Sequence, residues 1–573
     1  MGFFSTRNQP PSPQSQPQPG QPQPAAARPA PAAAPDEPRP FRRIRPGQPT
    51  DRREAGLSSR LVEGLLLKTL KQEGALSEQE LSAFLLLPAG CFRTELQSLY
   101  QRQCLDSPVA MKFDLTTKGR ELTHHYESED TYVGPAPVSF QAYREAVLAQ
   151  AQLGRRISQE EFDRAFAHMP APAEMRRLLK EAFNAKQVML LWGPPGNGKS
   201  LWSDSLHSLL TDPIILPHAF EFNNKVIQYF DPAFHKPLAE LMQREDAMFA
   251  EAPSVTDKPD RRWLICRPPL VTVGTEFRVE HFEIAFDGKF HAPQHLKANN
   301  GIFIFDDLGR QAQDHNMILN QFIYPLEQQE TIIHFAGGSS IRAPYKQRLI
   351  LSTNLNFRQV IDDAFARRLL YQVLVNRPTD DQWKEIIANV ARANGVTGEA
   401  LIDELGRKLL YWFKRDGRVV RASDPRGLFR MVDATLDEGE TVAAQLTPEL
   451  WERVYHQYPA SYEKDATGYL VEEATNDDFR AAVGSLARRR EVDPGGAEAL
   501  AEEALRHFHA QGRFIRPVDA GNLFAMADGA REAAQSVAQW LTPENWRRLL
   551  EEYPNFTAAD AERMRGTTGL AGK

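Results

Sequence analysis

The sequence predicts an α/β protein built on a parallel sheet with flanking helices, and three apolar runs predict it. Val188-Met-Leu-Leu-Trp192 leads into Gly193-Pro-Pro-Gly-Asn-Gly-Lys-Ser200, with a helix expected from Leu201. Gly301-Ile-Phe-Ile-Phe-Asp-Asp307 ends in two acids, and Leu349-Ile-Leu-Ser-Thr-Asn354 ends in a polar residue. Short, unbroken apolar runs mark strands buried on both faces, the usual state of strands in parallel sheets. Each run turns polar at its carboxyl end, where such sheets place their ligands.

Outside these runs, composition and periodicity divide the chain. Residues 1–55 are a Pro/Gln/Ala-rich tail, with 14 of the chain's 41 prolines in its first 50 residues. Such a composition buries too little apolar surface to fold, so a disordered tether is expected. Arg42, Arg43, Arg45, Arg52 and Arg53 close it and read as a solvated basic linker. Its first residues, Met-Gly-Phe-Phe-Ser-Thr, match a short myristoylation pattern and equally suit an aromatic docking peptide.

Residues 56–126 read as a separate three-helix domain. Ser77-Glu-Gln-Glu80 is a capping box opening its second helix. Met111-Lys-Phe-Asp-Leu-Thr-Thr-Lys-Gly-Arg120 reads as a wing, giving a winged-helix-like domain. Its third helix carries Arg93 and Arg102 against Glu95, a weak phosphate-binding face, so protein docking is the expected role. A connector, 127–174, leads to the core, 175–376. There Val226-Ile-Gln-Tyr-Phe230 reads as the second strand, followed by a long insertion to about Asn300. Thr331–Phe335 and Ile341-Arg342 flank a Gly-Gly-Ser-Ser turn and read as a β-hairpin. Asp362-Asp-Ala-Phe-Ala-Arg-Arg368 reads as a short helix with paired arginines, and Tyr371–Val375 as a fifth strand.

The last third contains a repeat at a constant offset of 95 residues. Leu446-Thr-Pro-Glu-Leu-Trp451 recurs as Leu541-Thr-Pro-Glu-Asn-Trp546, Tyr458-Pro459 as Tyr553-Pro554, and Gly417, Arg418, Arg421 and Asp424 as Gly512, Arg513, Arg516 and Asp519. Two helical units are expected, 377–460 and 461–573, with the repeated aromatics as core. Arg426 of the first aligns with Gly521 of the second.

The glycine loop carries the chemistry. Gly193, Gly196 and Gly198 let backbone wrap a polyphosphate closely, with Pro194, Pro195 and Asn197 between them. Amides at the helix start, up to Leu201, point toward the phosphates. Lys199 reaches the terminal phosphates and Ser200 ligates Mg²⁺. A nucleoside triphosphate with Mg²⁺ is therefore the expected ligand. Asp306 is expected in the Mg²⁺ shell, Asp307 as the base that polarises water, and Asn354 as a group orienting that water.

This order of motifs resembles the AAA+ ATPases over about residues 175–435. The resemblance implies a P-loop core with a helical lid, and ATP as the nucleotide. It implies "sensor 1" at Asn354, an arginine finger at Arg367 or Arg368 acting on a neighbouring subunit, and "sensor 2" at Arg426. A hairpin directly before the Asn354 strand resembles the superclade containing MoxR-like chaperones, and Pro293–Gly301 is similar to its segment leading into the acidic strand. Most of the family has Glu where this chain has Asp307, which implies slow or partner-stimulated hydrolysis. The resemblance implies a ring oligomer, a hexamer, in which ATP hydrolysis remodels or assembles a protein client. Alternative readings are a nucleic-acid motor or transcription-linked ATPase, and a nucleotide-gated scaffold with little turnover.

Bulk properties narrow the classes. A net charge of −7 argues against broad nucleic-acid binding. The three cysteines show no paired spacing, as in a reducing, cytoplasmic setting. No apolar run approaches the roughly 20 residues that cross a bilayer, so membrane insertion is not expected.

Overall fold

Five strands form the central sheet: β1 (Met189–Trp192), β2 (Leu270–Val273), β3 (Ile302–Phe305), β4 (Arg348–Thr353) and β5 (Tyr371–Leu374). Their order is β2-β3-β4-β1-β5, and every neighbouring pair is parallel. The fold class is thus the expected α/β one. The computed structural model describes residues 43–109, 111–153, 156–335, 338–355, 357–416, 418–438, 440–459, 474–516, 518–531, 535–553, 555 and 557. The chain divides into two units, residues 1–43 and 44–573, and every described strand and helix lies in the second. The expectations for the N-terminal Met-Gly-Phe-Phe and for Arg42 lie outside the described residues.

All of β3 and β4 is buried, because alternate side chains enter cores on opposite faces of the sheet. Phe303, Phe305, Leu349 and Leu351 pack with Phe277 and Phe322 on one face. Ile302, Ile304 and Ile350 pack with Phe183, Trp202 and Leu206 on the other. Helix α1 (Lys199–His207) follows β1 and supplies Trp202 and Leu206.

The reading of Val226–Phe230 as a strand of this sheet is corrected. Lys225–Gln228 pairs antiparallel with Ala219–Phe222, in a separate sheet. Asn223 and Asn224 turn between them at φ 53° and 62°. Asparagine tolerates this left-handed region, and an Asn-Asn pair between apolar runs is a hairpin signal. The second core strand is Leu270–Val273, inside the segment read as insertion. The hairpin before β4 pairs Glu330–His334 with Ser340–Pro344.

Helices Ser59–Glu73, Glu78–Leu85 and Arg93–Gln101 make up the N-terminal domain with a three-stranded sheet. The segment read as a wing divides in two. Lys112–Leu115 pairs with Leu105–Val109, but Thr117–Glu127 is a fourth helix. Thr116 caps it by accepting from Gly119 N at 3.1 Å, so Thr-x-x-Gly is a helix start here.

The tail boundary at residue 55 is also corrected. Arg45 is 4% exposed, its Nε 2.6 Å from Glu245 Oε2 and its Nη2 2.5 Å from Asp246 Oδ1. Gln48 N donates to Lys258 O and Asp260 N to Pro46 O, each at 2.8 Å. Arg52 pairs with Glu95 at 2.8 Å. Residues 44–55 are therefore a strap held by distant partners. A buried arginine is costly without counter-charges, and those of Arg45 lie about 200 residues away.

Two helical sets follow, each with four helices of ten residues or more among the described residues. The first is α2 (Asp380–Ala393), α3 (Glu399–Arg415), α4 (Asp424–Asp433) and α5 (Pro448–Gln457). The second is α6 (Asn476–Arg488), α7 (Pro494–Ala510), α8 (Asp519–Ala530) and α9 (Pro543–Glu552). The local bonding repeats with the sequence. Tyr458 OH donates to Asp424 Oδ1 at 3.1 Å, and Tyr553 OH to Asp519 Oδ1 at 2.9 Å. Arg421 N donates to Asp424 Oδ2 at 2.6 Å, and Arg516 N to Asp519 Oδ2 at 2.7 Å. Trp451 and Trp546 are both buried. The repeat also extends back to α2 and α6, where Trp383, Ile387 and Ala391 take the buried positions of Phe479, Val483 and Ala487. A one-residue shift in the next loop hides this from an ungapped comparison. The sets dock through α3 and α8, where a Cβ on Gly529 would come within 2.4 Å of Tyr411 Cβ. Lys384 Nζ meets Asp528 Oδ2 at 2.5 Å, and Lys414 Nζ donates to Asn522 Oδ1 at 2.8 Å.

Candidate nucleotide-binding site

The glycine loop leaves β1 at the carboxyl edge of the sheet. Gly193, Gly196 and Gly198 have φ of 135°, 81° and 89°, which L side chains rarely adopt. A Cβ at Gly193 would lie 2.5 Å from Val375 O, and one at Gly196 would lie 2.9 Å from Ser423 Oγ. The loop is therefore wedged between β5 and the start of α4.

Lys199 is 6% exposed and donates to Gly193 O at 2.9 Å and Pro194 O at 3.0 Å. Burial pushes its ammonium down to about 8, against the opposing pull of Asp306 and Asp307. Ser200 Oγ donates to Asp306 Oδ2 at 2.9 Å. Asp307 has φ 51°, a left-handed residue at the end of β3, and its N donates to Asp306 Oδ1 at 3.0 Å. Asn354 Nδ2 donates to Asp307 Oδ1 at 2.6 Å. Two bonds lock the ends of β3 and β4 at the proper height. Leu308 N donates to Ser352 O at 2.8 Å, and Thr353 Oγ1 to Leu308 O at 2.7 Å.

The first helical set closes over the loop. Ser423 N donates to Gly196 O at 2.9 Å, and Asn197 Oδ1 accepts from Ala422 N at 3.4 Å. Trp383 Nε1 holds Arg421 O at 3.0 Å, fixing that turn. Burial pushes the Asp424 carboxyl up to about 6, opposed by its bonds from Arg421 and Tyr458.

A cleft of about 710 Å³ lies between loop and helices. Pro195, Gly196, Asn197, Gly198, Lys199, Ser200, Leu201, Asp306, Asp307, Asn354 and Arg426 line it. Gly193 and Pro194 stand behind it, as the carbonyls that hold Lys199. Trp202, Ala422 and Ser423 also line it, and the outer wall is His168, Met169 and Pro170 with Ile386, Asn389, Val390, Ala393 and Asn394. These residues carry no motif, and the sequence signal that could have found them is the i, i+4, i+7 spacing of Ile386, Val390 and Ala393 on one face of α2.

No family model and no curated protein matches the chain. Among solved structures, NtrX from Brucella abortus is similar at 14% identity, over 68% of this chain and 70% of its own, with a TM-score of 0.31. Its complex with ADP gives 13%, 79%, 81% and 0.29. A Thermotoga maritima RuvB mutant gives 12%, 61%, 82% and 0.29. Likeness at this level carries no argument about function, which rests on the residues of the cleft.

Arg367 and Arg368 lie outside the cleft, just after the helix Asp363–Ala366. Arg368 Nε donates to Glu327 Oε1 at 3.0 Å. Arg367 is exposed and forms no ion pair among the described residues. In the second set, Gly521 occupies the place of Arg426, and nothing lies within 4 Å of where its Cβ would be. Among the described residues no helix is long and apolar enough to cross a membrane.

Proposed function

We propose that the chain is an ATP hydrolase of the AAA+ kind, with one nucleotide site per chain, in the cleft between the glycine loop and the first helical set. One observation carries this reading: Lys199, Ser200, Asp306, Asp307, Asn354 and Arg426 line a single cleft. The residues suit the cofactors. The loop's left-handed glycines leave backbone amides open to phosphate oxygens, and a buried ammonium bonded to carbonyls, with no carboxylate bonded to it among the described residues, suits an anion. Ser200 and Asp306 present adjacent hard oxygens, the donor set of a Mg²⁺ that keeps its other positions for phosphate and water.

Bound ATP with Mg²⁺ supplies the reactive phosphoanhydride. Lys199 and the loop amides hold its oxygens, and Arg426 adds positive charge from the lid side. Asp307 accepts the proton of the attacking water. Asn354 fixes the Asp307 carboxylate and offers its amide to the same water. Because α4 and the loop share a backbone bond, loss of the terminal phosphate shifts the lid against the core.

Arg367, exposed and away from its own cleft, is the arginine for a neighbour's site in a ring, a hexamer of MoxR-like character. Arg368 braces the helix through Glu327. The client is a protein complex, recruited by the N-terminal domain. The second helical set, lacking the arginine, extends the lid as a bracing arm. Fluorescent-nucleotide titration tests the site. Wild type binds in the micromolar range, and Lys199→Ala binds at least about 100-fold more weakly, as loss of a buried charge-assisted contact requires. Equal binding by both refutes the reading.

A further inference from the structure

A second cavity, of about 490 Å³, lies at the other edge of the central sheet. Lys186, Asn300 and Arg348 line it, at or just before the first residues of β1, β3 and β4, three adjacent strands. Those strands lead directly into Gly193, Asp306 and Asn354. The two cavities are thus separated by one strand length, about 20 Å for six residues. The proposed nucleotide chemistry makes no use of this edge.

Three cations converge here without an ion-pair partner among the described residues. Arg348 is 8% exposed, lies over the Phe183 ring at 4.3 Å and donates only its Nε, to Phe183 O at 3.3 Å. Its two terminal nitrogens therefore remain for the cavity. Lys186 Nζ is held by Ala151 O at 2.6 Å and Lys346 Nζ by Gln329 Oε1 at 3.3 Å, both neutral acceptors. Glu330, whose charge reaches Lys346, is paired with Arg144 at 2.7 Å. Asp212 is the only acid among the described lining residues. Burial and the two other cations push Lys186 down, so the three charges sense one another. Asn300 Oδ1 is buried beside them with no hydrogen-bond partner. Ile157, Leu209 and Ile214 give the wall an apolar side, and Gln150, Thr211 and Gln347 give it neutral polar groups.

We propose that this cavity binds a small organic phosphate. Its phosphate faces Arg348, Lys186 and Lys346, and its carbon skeleton lies against the side formed by Ile157, Leu209 and Ile214. A flat guanidinium stacked on an aromatic ring presents its edge to two phosphate oxygens, and two flanking ammonium groups match a dianion better than a carboxylate. An arginine buried without a counter-charge is otherwise a standing cost, which a bound anion removes.

Calorimetric titration of the full-length Lys199→Ala protein with ribose 5-phosphate tests the site with the nucleotide loop silenced. Saturable binding with a Kd of about 1 mM or tighter is expected. Adding Lys186→Ala and Lys346→Ala, both at the cavity rim, weakens it at least about tenfold with the melting profile unchanged. In a chain with Lys199 intact, the same pair removes one binding event and leaves nucleotide binding in place. No saturable heat, or equal affinity with and without the rim lysines, overturns the proposal. Hexanoate binding as tightly as ribose 5-phosphate overturns the assignment to phosphates.

Discussion

Asn354 Nδ2 lies 2.6 Å from Asp307 Oδ1, so the two residues proposed to handle water are bonded to each other across neighbouring strands. The bond ties the end of β4 to the end of β3 and compensates for a short base. Aspartate reaches one methylene less than glutamate, and Asn354 holds it in a single orientation. Asn354→Ala is expected to lower the hydrolysis rate by about 100-fold while nucleotide affinity changes less than about threefold, because the interaction serves the transition state. Single-turnover kinetics beside a binding titration measures both.

Arg367 and Arg368 are neighbours with different surroundings. Arg368 is engaged by Glu327 within its own chain, whereas Arg367 is exposed. Arg367→Ala is expected to lower hydrolysis by about 1,000-fold, the scale of a lost arginine finger, with binding retained. Arg368→Ala instead lowers stability by about 0.5–1 kcal/mol, as a partly exposed ion pair does. Mixing Arg367→Ala with Asp307→Asn subunits restores part of the activity if the arginine acts between chains.

The lowered Lys199 ammonium gives a pH dependence. Burial disfavours the charged form, so the free protein loses this proton as pH rises through about 8. Phosphate binding favours the charged form. ATP affinity therefore falls as pH rises above about 8, and binding at pH 8–9 takes up a proton. Titration calorimetry in buffers of different ionisation enthalpy measures the uptake, which Lys199→Met abolishes.

Arg45 is expected to contribute to stability although it borders a low-complexity tail. Arg45→Ala leaves Glu245, itself fully buried, without its counter-charge and should cost about 3–5 kcal/mol. Arg53, which is exposed, should change stability by less than about 0.5 kcal/mol on the same substitution. Denaturant unfolding of the two variants compares them.

These contrasts show what a sequence carries. The glycine loop, the acids of β3 and Asn354 were legible because each sits at the end of an apolar run, where local pattern and site geometry coincide. The strand Leu270–Val273 was missed because its four residues are flanked by prolines and polar turns, and only pairing with β3 defines it. The strap was missed because Arg45 is explained by Glu245, and no periodic pattern links residues that far apart. His168, Met169 and Pro170 carry no chemistry of their own and enter the cleft only because tertiary packing brings the connector over the loop. The repeat was legible as far as it is ungapped, and its first helix became visible through matched burial of Trp383 and Phe479.

The most direct test is steady-state phosphate release by the wild-type chain and by Asp307→Asn, with Mg²⁺ and saturating ATP and with nucleotide binding measured in parallel. The predicted result is ATP-dependent release by wild type, at least about 100-fold less by Asp307→Asn, and equal nucleotide affinity for the two. Release by Asp307→Asn at the wild-type rate, or no release by wild type at any protein concentration that permits assembly, would contradict hydrolysis at this cleft.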